Sequence, residues 1–136
     1  MQTLAQLINT HQIEVLEHLD RQVTVPVVTG LQRQGDVIVV PDKKATATTP
    51  VPAGGVPVVR GEAGGNTHAL VADGPGVLCD VKTATARNLT LATLTVPEGA
   101  VAFLAHPEHG FSGIGPGTYT LRRQREQADE IRILAD

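Results

Sequence analysis

The stretch LTLATLTVPEGAVAFLAHPEHG, Leu89 to Gly110, holds two apolar runs of strand length on either side of a Pro-Glu-Gly turn. The same signal recurs from Val23 onward in VTVPVV, DVIVVP, VPVVR, THALVA, GVLCDV, GTYTLRR and EIRILA, with turn residues between the runs. No helical segment long enough for a parallel crossover unit interrupts them, so the spacing predicts an all-β fold. We expect a small barrel or sandwich of cupin-like or β-clip-like character. In the second run, Ala102, Leu104, His106 and Glu108 share one side of an extended chain, and Val101, Phe103 and Ala105 share the other. Both sides are apolar up to Ala105, which implies a strand covered on both faces. Pro107 cannot donate to a sheet ladder, so the strand should end there, with its polar groups gathered at a rim.

With 136 residues, 41% of them apolar, the chain can close one core but hardly two. Residues 23–136 are therefore read as a single β domain. Aromatic residues make up 2% of the chain, so Val, Leu, Ile and Ala must build the core. That shortage, with a net charge of -3, gives no footing for nucleic acid as a partner. Cys79 is the only cysteine and reads as a small buried thiol. No apolar run approaches a membrane span and no signal peptide is visible, so a soluble cytoplasmic protein without membrane contact is expected.

Residues 1–22 begin with MQTLAQLINTHQIEVLEHLD, where Leu4, Leu7, Ile8, His11, Val15, Leu16 and Leu19 fall at helical spacing. Thr3 and Gln6 occupy capping-box positions. An amphipathic helix is expected over this segment, with a break near Asn9 and Thr10, and its apolar stripe packed on its own domain or on another chain. His11 and His18 read as surface or interface residues. Between Pro41 and Gly55, PDKKATATTPVPAGG is poor in large apolar residues and reads as a mobile loop or edge excursion, with Lys43 and Lys44 as solubilising charges.

Chemistry concentrates in two places. In HPEHG, His106, Glu108 and His109 lie within four residues; in RGEAGGNTHAL, a glycine pair precedes Asn66 and His68. His68 and Leu70 share a face of the strand that follows, so His68 can point inward. If the two strands are neighbours, His68, His106 and either Glu108 or His109 form a nitrogen and oxygen donor set suited to Zn, Fe or Mn. The competing reading is of polar side chains that hydrogen-bond within a Pro-Gly turn. Downstream, Tyr119, Leu121 and Arg123 share a face, and Arg123 could clamp a carboxylate or orient Glu108. The run GFSGIGPGTY fits neither a dinucleotide nor a nucleophile-elbow pattern and reads as a loop with positive backbone angles.

RQGDVIVVP (Arg33 to Pro41), GEAGGNTHAL, HPEHG, PGTY and RRQRE together resemble a family of small uncharacterised bacterial proteins. That family's pattern runs R-Q-G-D-V, G-E-x-T-G-H-x-H, H-x-E-H-G, P-x-G-x-Y and Q-R-E-Y. The order matches over roughly residues 33 to 136. Carried over by position, His68 is the second histidine of the second motif, and His106, Glu108 and His109 form the H-x-E-H. Asn66 stands where the family has another histidine, and Gln127 where it has tyrosine. The resemblance implies that these motifs converge in space, and it supplies no reaction.

The expected function is therefore metal or small-ligand binding at a rim of His68, His106, Glu108 and His109. Were the domain an enzyme, the metal would activate water or oxygen, Glu108 would be ligand or general base, and Arg123 with Asn66 would bind substrate. The alternative is a non-catalytic interaction or assembly module that binds a protein partner or itself through residues 1–20 and its strand edges.

Overall fold

The computed structural model describes residues 2–16, 19–59, 67–82 and 89–123. Ten strands follow one short helix, α1 (Leu4–His11): β1 (Val27–Val28), β2 (Gln32–Gln34), β3 (Val37–Pro41), β4 (Val56–Val59), β5 (His68–Asp73), β6 (Leu78–Val81), β7 (Thr90–Val96), β8 (Val101–His106), β9 (Gly110–Ile114) and β10 (Gly117–Arg123). They form two five-stranded sheets, ordered β1-β9-β8-β5-β4 and β2-β3-β10-β7-β6. The fold is a β sandwich, as the recurrent apolar runs predict. Among the described residues every pairing of these strands is antiparallel except that of β1 with β9.

The alternation of side chains sorts each strand into the two cores. From β8, Ala102 and Leu104 enter the core between the sheets, beside Leu70 of β5, Val37 and Val39 of β3, Leu94 of β7, and Tyr119 and Leu121 of β10. Their neighbours Phe103 and Ala105 face the opposite way, into a second cluster with Val71, Phe111, Leu4, Leu7, Val15 and Val25. β8 is thus covered on both faces because the N-terminal segment lies over the outside of the first sheet. Burying each Leu or Phe here contributes on the order of 1.5–3 kcal/mol.

α1 has the expected capping box: Gln6 N–H donates to Thr3 Oγ1, and Thr3 N–H donates to the Gln6 side chain. It is much shorter than a helix over residues 1–22. Asn9, Thr10 and His11 are weak helix formers, and Gln12 turns left-handed at φ 56° while its N–H closes on Ile8 C=O. Residues 13–16 then run on without helical structure, and Val15 drops into the second core. His11 is half-buried, its ring 6.0 Å from those of both Phe103 and Phe111. His18 and the EIRILA run lie outside the described residues.

One loop reading is corrected, and of the two readings of residues 41–55 the edge excursion is the one the structure follows. Residues 110–114 are a strand, and the glycines of this run let β1 come close. A β-carbon at Gly113 would stand 2.6 Å from Pro26 O, and one at Gly115 would stand 2.7 Å from Thr29 Cγ2. The segment after Pro41 is a strap across the outer face of the second sheet. Thr93 Oγ1 donates to Thr46 C=O, and the Asp80 carboxylate accepts from the N–H groups of Thr48 and Thr49. Ala45 and Ala47 of the strap are themselves buried. Small residues let the strap lie flat, and the low bulk that suggested a loop is the condition for its packing. Cys79 is buried in the core as expected, and desolvation pushes its thiol up to about 12.

Candidate metal centre

β5 and β8 are neighbours, with Ala69 opposite Ala105 and Leu70 opposite Leu104. One further step along that register sets His68 opposite His106, and their ring centroids lie 4.3 Å apart. Pro107, Glu108 and His109 then form the turn into β9, where His106 pairs with Gly110. The positive φ of 78° at Gly110 closes the turn and folds the His109 ring back, 4.6 Å from His106 and 6.2 Å from His68. One nitrogen each of His106 and His109 and one carboxylate oxygen of Glu108 lie within 4.8 Å of one another. His68 and His106 are buried, whereas Glu108 and His109 are exposed at the rim.

The lid over this group comes from the other sheet. β2 and β3 form a hairpin whose turn carries Gly35 at φ 58° and Asp36. A β-carbon at Gly35 would stand 2.9 Å from His109 Nε2 and 3.4 Å from His68 Nε2, so two imidazole nitrogens converge beneath a bare backbone. The hairpin is held down by Gln34, a buried amide whose Nε2 donates to Leu104 C=O and Ser112 Oγ, each at 2.9 Å. Asp36 Oδ1 lies 3.9 Å from His68 Nδ1, and Asp36 Oδ2 lies 3.7 Å from Arg123 Nε.

Electrostatics make His68 the unusual member. Burial above all, and then the proximity of His106 and His109, lower its pKa to about 4 against the opposing pull of Asp36. The ring is therefore neutral near pH 7, the form that binds a metal. Neither ring nitrogen has a hydrogen-bond partner. The Gln34 main chain also favours protonation weakly, without reaching hydrogen-bond geometry. His106 is held differently: its Nδ1 accepts from the Glu108 N–H at 3.0 Å, a hydrogen bond within the turn itself.

His68, His106, Glu108 and His109 thus meet at one end of the sandwich. Arg123 reaches the same end and faces Asp36. Asn66 lies outside the described residues. Sequence reasoning passed over Gln34, Gly35 and Asp36. A buried-amide position followed by a left-handed glycine and a carboxylate was the available signal, in the R-Q-G-D-V motif itself.

The chain belongs to the family described as "Domain of unknown function (DUF8820)", whose model matches residues 33–124. The matched span includes both the histidine group and the hairpin over it. No curated protein matches the chain, and no solved structure does.

Proposed function

We propose that this β domain binds one divalent transition-metal ion through His68, His106, Glu108 and His109, with Asp36 orienting His68. The observation that carries the reading is the His68 ring: it is 3% exposed, with both nitrogens unpaired, beside two other histidines. An unpaired buried polar group costs roughly 1–3 kcal/mol, and a metal at His68 Nε2 removes that cost while Nδ1–H turns to the Asp36 carboxylate. Three nitrogens and one carboxylate oxygen suit Zn, Fe or Mn.

The donor set fits such an ion after closing in. The donors of His106, Glu108 and His109 spread over 4.8 Å, wider than the roughly 3.4 Å separation implied by tetrahedral bonds of about 2.1 Å, and the His68 ring joins them from 4.3 Å beside His106. Glu108 and His109 stand at the exposed rim, where their side chains have room to rotate. Use of His106 Nδ1 as a ligand displaces the Glu108 N–H, and use of Nε2 requires the proton to sit on Nδ1. Either way the turn hydrogen bond yields, so the Glu108 amide reports occupancy. A divalent ion bound here would act as a Lewis acid toward water or an oxygen donor.

Elemental analysis of protein purified without a histidine tag, beside H68A and H106A, tests the reading. Near one equivalent of a single metal is expected in the parent and none in the variants. Protein that holds no metal and takes up none from Zn²⁺, Fe²⁺ or Mn²⁺ solutions would overturn it.

A further inference from the structure

The outer face of the second sheet holds a cleft of about 470 Å³ that shares no residue with the histidine group. Its floor is set by register. Thr120 pairs with Val40 on one side and Thr93 on the other, and Arg122 pairs with Thr90. Tyr119 and Leu121 point into the core, so these alternate residues point out. Lys82 N–H donates to Leu91 C=O and so carries the ladder past the end of β6, which sets Lys82 two residues beyond Asp80 along the sheet edge. The strap closes a third side with Asp42, Lys44, Ala45 and Thr46.

Three cations, Lys44, Lys82 and Arg122, line this cleft against one carboxylate, Asp42. Among the described residues none of the three makes a salt bridge, although the Lys44 charge acts on Asp42, and Asp42 is already engaged: Oδ2 accepts from Thr120 Oγ1 and Oδ1 from Lys44 N–H. Both interactions hold its pKa below the usual range, so it stays ionised and committed to the strap. The hydroxyl protons of Thr93 and Thr120 are committed likewise, to Thr46 C=O and Asp42. The groups left to meet a ligand are cationic donors around a concave floor, in a chain whose net charge is -3. We propose that this cleft binds a small phosphorylated ligand, with Arg122 as the bidentate partner of the phosphate and Lys44 and Lys82 as flanking charges. The volume lies in the range of small-molecule sites.

The test is a titration of the ¹⁵N-labelled protein with inorganic pyrophosphate and with ribose 5-phosphate at about 0.15 M ionic strength, where loose surface attraction is screened. Saturable shifts of the Thr46, Thr90, Thr93, Thr120 and Arg122 amides are expected, with about tenfold or more weakening in the K82A/R122A variant. Tighter binding of ribose 5-phosphate would mark an organic phosphate, and tighter binding of pyrophosphate an inorganic one. Shifts that fail to saturate, that sodium chloride reproduces, or that persist unchanged in K82A/R122A would overturn the proposal.

Discussion

At His68 two demands meet on one ring. Folding removes it from water without giving its nitrogens partners, and the same burial keeps it unprotonated. The unfolded chain takes up a proton at this residue near pH 6.5, whereas the folded chain does so near 4. The unfolded state therefore binds more protons between those values, and stability falls as pH drops through that window. In chelator-treated protein the urea midpoint should decline from pH 6.5 to 4, and the H68N variant should show a shallower decline; parallel curves would contradict this. Asp36 acts on the same ring from the other side. In a carboxylate–histidine–metal relay, D36N should weaken metal binding by about 10- to 100-fold, measured by competition with a chromophoric chelator. Cys79 gives the opposite case, a buried group with no role in the site. With its thiol pushed up to about 12, it should resist alkylation at pH 8 until denaturant is added.

Among the elements, the β2–β3 hairpin links fold and site. Gln34 reaches across to carbonyl and hydroxyl groups of β8 and β9, fixing Gly35 and Asp36 above the histidines. Q34A removes the Nε2 hydrogen bonds to Leu104 C=O and Ser112 Oγ and leaves the buried Leu104 carbonyl without this donor, so a loss of about 2 kcal/mol is expected in urea titration. Metal affinity should fall with it, because the lid is no longer held. The elements also show what could be read from sequence. Strands β3 to β8 and β10 announce themselves as β-branched runs, and the burial of β8 on both faces follows from Val101 to Ala105. The neighbouring of β5 and β8 does not, because nothing within THALVA names its partner, and His68 meets His106 only through that register. β9 was hidden because glycine is depleted from strands; here Gly113 and Gly115 serve the close approach of β1, a long-range contact that local propensity cannot encode. The helix was overextended because apolar spacing continued past Gln12, while the cap that stops it depends on one left-handed residue.

On the scale of the whole molecule, a two-sheet sandwich must protect its edges, and the strap does so for β6. Thr49 C=O accepts from Cys79 N–H, Val51 N–H donates to Val77 C=O, and Pro50 bridges Leu78, so residues 49–51 occupy the edge that another chain could otherwise pair with. The strap is anchored at Asp80, whose carboxylate takes the Thr48 and Thr49 N–H groups; the Thr49 side chain first, and these N–H groups with it, hold the carboxyl below its usual range. Asp80 is a surface group, and its importance lies in position. Without it this stretch of the strap keeps the Thr93 bond and its edge contacts, with the Asp42 bonds to Thr118 and Thr120 holding its start, and Val81 is already exposed beside it. D80A should therefore speed hydrogen exchange at the Thr48, Thr49 and Cys79 amides, while amides in the β5–β8 ladder keep their protection. The uncovered edge should then self-associate, seen as concentration-dependent mass by light scattering. An edge strand needs both an open ladder and apolar side chains to pair, and V81K added to D80A should restore the mass seen for the parent protein without restoring slow exchange. If D80A leaves the Thr48 and Thr49 amides protected, the strap is held by the packing of Ala45 and Ala47 instead, and the carboxylate is incidental to the fold.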